Sequence, residues 1–208
     1  LTGANRLWES VIFAVRGILL SDSDSIKYAI SGIQDVVVIT DSGDGFYKDG
    51  SFIQHDNIPY NCGYGRSLIQ ELAPMLYTFK DTEFEIKNTD IINTWVEKSY
   101  LPFIYNGRTM DMVRGREISR YYEQSDFACS RILSAMLILT ELSEFDILRS
   151  VIKTHLTDSF FEYASLFAVE LAEGLQEDDN IEPKEIKPYF MAFNSMDRAV
   201  KHGNGYTI

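Results

Sequence analysis

Apolar residues recur along the chain with a helical period. Residues 5–20 (NRLWESVIFAVRGILL) put Leu7, Val11, Val15 and Ile18 on one face, which predicts a first helix with that stripe inward. The cluster SDSDS (21–25) is suited to capping a second helix, IKYAISGIQDVVVI (26–39), although VVVI favours a strand by propensity. A third helix is predicted from Tyr64 to Phe79, strained by Pro74, and a fourth over 90–104, capped by Asn88 or Thr89. SDFACSRILSAMLILTEL (125–142) reads as another amphipathic helix, with two more near 144–155 and 159–176. EDDNIEPKEIKP (177–188) reads as an exposed linker. After it the pattern changes, and GNGYTI (203–208) reads as a turn entering a strand.

Two long polar stretches interrupt the helices, 40–61 and 105–124. Connections longer than ~12–15 residues inside a compact domain are usually functional or disordered. The residue types favour function, and the element order suggests helical hairpins with their functional loops gathered at one end. GSFIQHDNIPYNCGYG (50–65) is too polar for a core strand and too aromatic for an ordinary linker.

Composition narrows the classes. The hydrophobic fraction of 45% over 208 residues supports one sizeable core. No apolar run reaches the ~20 residues of a membrane span, and FAVRGILL is broken by Arg16 and Gly17. A formal net charge of −12 argues against nucleic acid as a partner, and nothing suggests a membrane partner. An anionic ligand would need a local cationic pocket. Cys62 and Cys129 have no metal-ligand spacing and read as free thiols. The chain begins at Leu1 rather than Met, so it reads as a mature or truncated piece.

The second polar stretch packs Arg108, Arg114, Arg116 and Arg120 into thirteen residues. Arg116 and Arg120 are four apart and would share a face of an α-helix, suited to a carboxylate, sulfate or phosphate. They could instead pair with Asp111 and Glu117. His55 and Tyr64 add a second element. Positive charge favours a tyrosine's phenolate, which can take a weakly acidic proton and return it. Abstraction of a proton alpha to a carboxylate needs such a base, together with donors that neutralise the carboxylate.

TGANR (2–6), DGSFIQHDNIPYNCGYG (49–65), NGRTMDMVRGREISR (106–120) and FNSMDRAV (193–200) resemble, in order and spacing, polysaccharide lyase family 8. That family includes hyaluronate, chondroitin AC and xanthan lyases. The resemblance spans essentially the whole chain. It implies an all-α class: residues 1–188 would be the C-terminal part of an (α/α) incomplete toroid, and 189–208 the start of a β-sandwich domain. It implies a secreted, monomeric enzyme that cleaves an acidic polysaccharide by β-elimination, without metal or other cofactor. Hyaluronan is the first substrate implied, with chondroitin and xanthan beside it.

Carried over by position, Asn5 would neutralise the uronate carboxylate and His55 would help acidify the C5 proton. Tyr64 would be the base and then the acid. Arg116 and Arg120 would favour its phenolate and hold the substrate. Arg114, Tyr60, Tyr122 and Asn57 are candidate substrate contacts, and Tyr121 flanks the same loop. The glycines beside Tyr64 would let the polymer approach its hydroxyl. Family enzymes are several times longer, and a supporting glutamate and an aromatic patch would lie outside this chain. Alone, the 208 residues are expected to be weakly active or inactive.

Two other classes fit parts of the pattern. A helical glycoside hydrolase would need a carboxylate pair drawn from Asp44, Asp49, Asp56 and Asp111. A non-catalytic glycan-binding relative would keep the aromatics and arginines. Trp8 and Trp95 read as core residues, and His155 as structural. His202 gives no signal.

Overall fold

The computed structural model describes residues 1–142 and 145–208. Its long helices are α1 (Gly3–Leu20), α2 (Ser23–Val36), α3 (Tyr64–Phe79) and α5 (Ser125–Leu139). Shorter ones are α4 (Ile91–Trp95), α6 (Leu148–His155), α7 (Asp158–Tyr163) and α8 (Leu166–Glu177). The helix expected near 144–155 starts at Leu148, and its first expected residue lies outside the described ones. The one expected over 159–176 is split at Ala164–Ser165.

α1 and α2 form an antiparallel hairpin. Asp22 caps α2, its carboxylate accepting the backbone N–H groups of Asp24 and Ser25. The inward face of α1 differs from the expected stripe. Ala4, Leu7, Ser10, Ala14 and Gly17 are buried, whereas Val15 and Ile18 are exposed. Small residues win because the two helices approach closely: a methyl group on Gly17 would come within 2.6 Å of Ile26. Apolar periodicity alone does not reveal that a seam is made of small residues.

The fourth predicted helix is also irregular. After α4 the chain widens into a π turn (Val96–Tyr100) and tightens into a 3₁₀ turn (Leu101–Phe103) around Pro102. This lets Trp95, Tyr100 and Phe103 all point into the core.

Neither polar stretch is structureless. The first folds into a small sheet of β1 (Ile39–Thr40), β2 (Gly45–Tyr47), β3 (Phe52–Gln54) and β4 (Ile58–Pro59), in that order. β1 and β2 run parallel and the remaining pairs are antiparallel. All three residues of β3 are buried, contrary to the expectation that this stretch is too polar for a core strand. Phe46 stacks on Trp95 at 4.1 Å and meets Phe52 edge-on, so aromatics supply what aliphatics usually do. The second stretch forms a hairpin, β5 (Ile104–Tyr105) and β6 (Arg108–Thr109), followed by two 3₁₀ turns.

From Tyr189 the chain forms an antiparallel meander of β7 (Tyr189–Phe193), β8 (Arg198–Gly203) and β9 (Tyr206–Thr207). Asp49 links it to the first loop, accepting the backbone N–H of Ser195 at 2.7 Å. Phe193 packs on Phe103 at 4.7 Å. Among the described residues, no helix is long and apolar enough to cross a membrane.

Candidate active site

Tyr64 is the first residue of α3, at the end of the first loop. Three aromatic rings surround it. His55 meets it edge-on at 4.9 Å, Tyr60 edge-on at 4.9 Å, and Trp8 packs at 5.6 Å. Arg116 donates from Nη2 to the Tyr64 phenolic oxygen at 3.1 Å, and its guanidinium lies 5.9 Å from the Tyr64 ring centre. The loops far apart in sequence thus converge on one phenol. Trp8, expected in the core, is instead 38% exposed at this site. Trp95 is in the core as expected.

The N-terminus of α3 is held by buried side chains that bond to the main chain. Asn61 is fully buried; its side chain accepts from Phe52 N–H and donates to the carbonyls of Gly50 and Ser99. The buried Tyr100 hydroxyl donates to the Gly65 carbonyl at 2.6 Å. These polar staples fix the loop against the core, where an unpaired group would be costly. The glycines beside Tyr64 are needed for close packing. A methyl group on Gly63 would come 2.4 Å from the Tyr60 ring, and Gly65 faces Phe52.

His55 sits at the tip of the β3–β4 turn, exposed, with φ of 58°. Asp56 follows at 70°, and Asn57 completes the turn by donating its N–H to the His55 carbonyl. Asn57 is exposed beside the site. Asn5 lies in the first turn of α1, one turn before Trp8 and therefore on neighbouring helix surface. Its amide has no hydrogen-bond partner among the described residues.

The arginines divide by role. Arg116 and Arg120 do not share an α-helical face: Gly115–Ser119 is a 3₁₀ turn and Arg120 is extended. Arg116 still reaches Tyr64, and its backbone N–H donates to the Tyr60 hydroxyl at 3.0 Å. Arg120 lines the same cleft but its guanidinium pairs with Glu123 at 2.6 Å, a bond that raises its already high pKa. Arg114, expected to touch substrate, is 1% exposed. It pairs with Asp111 at 2.5 Å and donates to the carbonyls of Glu117 and Glu123, so it braces the loop from inside. Tyr60, expected to stack on sugar, is fully buried beneath Tyr64, and burial raises its phenol pKa. Tyr121 and Tyr122 remain over 80% exposed, edge-to-face at 5.0 Å.

Beside Tyr64 is a cleft of about 230 Å³ lined by Trp8, Arg66, Glu117, Arg120 and Glu123. Its floor is an ion pair that the sequence did not suggest, Arg66–Glu117 at 3.3 Å, with both side chains buried. Burial pushes the Glu117 carboxyl up, against the pull of Arg66. The pair joins α3 to the second loop, so breaking one partner would leave a buried charge.

Three of the four carboxylates considered for hydrolysis hold other partners, and Asp56 is exposed on the β3–β4 turn. Asp49 accepts from Ser195 and Ser51, Asp111 pairs with Arg114, and Asp44 accepts from three donors around α1 and β3. Both cysteines are free and buried. Among the described residues, no group of three or more His, Cys, Asp or Glu side chains is placed to hold a metal ion.

The model of the N-terminal α-helical domain of polysaccharide lyase family 8 matches residues 1–154. The chain belongs to polysaccharide lyase family 8. It is 31% identical to a xanthan lyase of Bacillus sp. (strain GL1), over all of this chain and 24% of that protein. It is 34% identical to a hyaluronate lyase of Thermasporomyces composti, over 96% of this chain and 27% of that protein. Among solved structures, a Paenibacillus xanthan lyase superposes with a TM-score of 0.92 at 34% identity, covering 97% of this chain and 20% of the other. The chain thus spans about a quarter of the curated relatives' length, and its fold is part of the α/α toroid expected from its sequence.

Proposed function

We propose that the whole protein is a polysaccharide lyase that breaks a uronate-containing polymer by β-elimination. The observation that carries this is the Tyr64 phenol, hydrogen-bonded by the Arg116 guanidinium and packed at right angles to the His55 ring, beside a cleft. In the proposed reaction the Tyr64 phenolate takes the C5 proton of the uronate. The C–H electron pair forms the C4=C5 double bond, and the C4–O4 bond breaks. The Tyr64 phenol then returns the proton to the departing oxygen. Asn5 and His55 neutralise the carboxylate as its negative charge grows, and Arg116 donates a hydrogen bond to the phenolic oxygen. Arg120, Asn57 and Tyr122 contact sugar around this centre.

Within this class hyaluronan is the first substrate to consider, and the likeness to a hyaluronate lyase over nearly the whole chain supports it. Xanthan is a second reading, favoured by the high structural likeness to a xanthan lyase. Residues 1–188 then belong to the toroid, and the meander from Tyr189 begins a β-sandwich domain. A polymer of this size does not cross a membrane, so the enzyme works outside the cell.

Product analysis tests the reaction type. Cleavage by the whole protein in heavy-oxygen water should yield products without the label and with the ultraviolet absorbance of an unsaturated uronate. Label incorporation without new absorbance would identify a hydrolase instead.

A further inference from the structure

The Asp44 carboxylate joins the two segments that carry Asn5 and His55. Its Oδ2 accepts the hydroxyl of Thr2 at 2.9 Å and the side-chain amide of Gln54 at 2.6 Å. Its Oδ1 accepts the backbone N–H of Asp56 at 3.2 Å. Thr2 immediately precedes α1, and its hydroxyl makes no capping bond to that helix. Asp56 immediately follows His55.

The surroundings leave little freedom. His55 and Asp56 are successive non-glycine residues in the left-handed region, a strained conformation that persists only where neighbours enforce it. Gln54 is fully buried, and its Oε1 has no partner among the described residues. That oxygen lies against Gly3, where a methyl group would come within 2.6 Å and φ is +50°. A side chain at position 3 would therefore push α1 away from β3. The first block of the sequence (TGANR) and the second (FIQHD) touch through Asp44, Gln54 and Gly3.

We infer that Asp44 is a positioning residue: it sets the spacing between Asn5 and His55, and hence the pocket for the uronate carboxylate. Asp44 does not touch the reacting atoms. It acts through the two groups that do, and this assignment rests on the eliminative activity proposed above. A carboxylate suits the position because all three neighbours are donors. Asparagine keeps the size but presents an NH₂ to one side, where it opposes either the Asp56 N–H or the Gln54 amide.

Asp44→Asn in the whole protein tests this. A small misplacement of groups in a reacting site lowers turnover by about 10–100-fold. Kcat on hyaluronan or xanthan should fall by that factor, while KM and the unfolding temperature change little. In the background of Asn5→Ala with His55→Ala, adding Asp44→Asn should cost almost nothing further, because the residues it orients are gone. Unchanged kcat in Asp44→Asn, or a loss that multiplies fully on the double variant, would overturn the proposal. Amide exchange at Asp56 in Asp44→Ala, which removes both acceptor oxygens, gives a readout independent of turnover, and it should quicken about tenfold or more once a bond to a charged acceptor is lost. If the wild type makes no unsaturated product, the lyase activity itself fails, and unaltered exchange at Asp56 would separately remove Asp44 from its role.

Discussion

Arg116 bonds two tyrosines at once, its guanidinium donating to the Tyr64 hydroxyl at 3.1 Å and its backbone N–H to the Tyr60 hydroxyl at 3.0 Å. The lower tyrosine is buried and fixes the main chain that carries the arginine. The upper one stands at the cleft and receives the charge. Tyr60 thus sets the register of the Arg116 guanidinium on Tyr64.

Arg116→Ala should lower kcat by about 10²–10³-fold, the range found when one donor to a developing charge is removed. Arg116→Lys should recover little of this, because an ammonium lacks the planar fork that reaches the Tyr64 oxygen. Initial rates of ultraviolet absorbance check both variants. Full recovery in the lysine variant would mean that charge alone, without geometry, suffices.

Gly115→Ala should destabilise the fold by about 2–4 kcal/mol, combining left-handed strain with overpacking. Gly115 has φ of +54°, and a methyl group there would lie 2.3 Å from the Tyr60 ring. Denaturant unfolding measures the loss. An unchanged midpoint would show that Tyr60 can shift freely, and with it the Arg116 bond.

Asn61→Ala removes three hydrogen bonds from a fully buried side chain and leaves their partners unpaired. A loss of about 2–4 kcal/mol is expected. Because Asn61 anchors the loop leading to Tyr64, turnover should fall even at temperatures where the protein stays folded. Circular dichroism with parallel rate measurements separates the two effects.

Much of this was legible in the sequence. His55, Tyr64 and Arg116 stand out because their residue types suit one chemistry, and His55 and Arg116 both meet Tyr64. The helices follow from periodicity, except where small residues form the seam, as with Ser10, Ala14 and Gly17 of α1. The burial of Tyr60 and Arg114 was not legible. Both lie in stretches that look polar, and only long-range pairing turns them inward. The Asp44 contacts with Thr2 and Gln54 and the Arg66–Glu117 pair span up to 51 residues. Local patterns carry no signal for such bonds.

Burial and the nearby His202 pull the His155 pKa down to about 4. The fold therefore favours the neutral ring, while the unfolded chain takes up a proton near pH ~6.5. Stability from this group is complete above that value and is lost as pH falls toward ~4, by up to roughly 3 kcal/mol. Unfolding temperatures at pH ~7 and ~4.5 should differ more in the wild type than in His155→Gln. Equal differences would show that the loss arises elsewhere.

The central claim is that the Tyr64 phenol moves the proton. Tyr64→Phe keeps the ring, and with it the contacts to His55, Tyr60 and Trp8, and removes only the oxygen that Arg116 holds. In the whole protein, this variant should bind hyaluronan or xanthan with affinity close to wild type and produce no ultraviolet-absorbing product. Wild-type turnover by Tyr64→Phe would contradict the account.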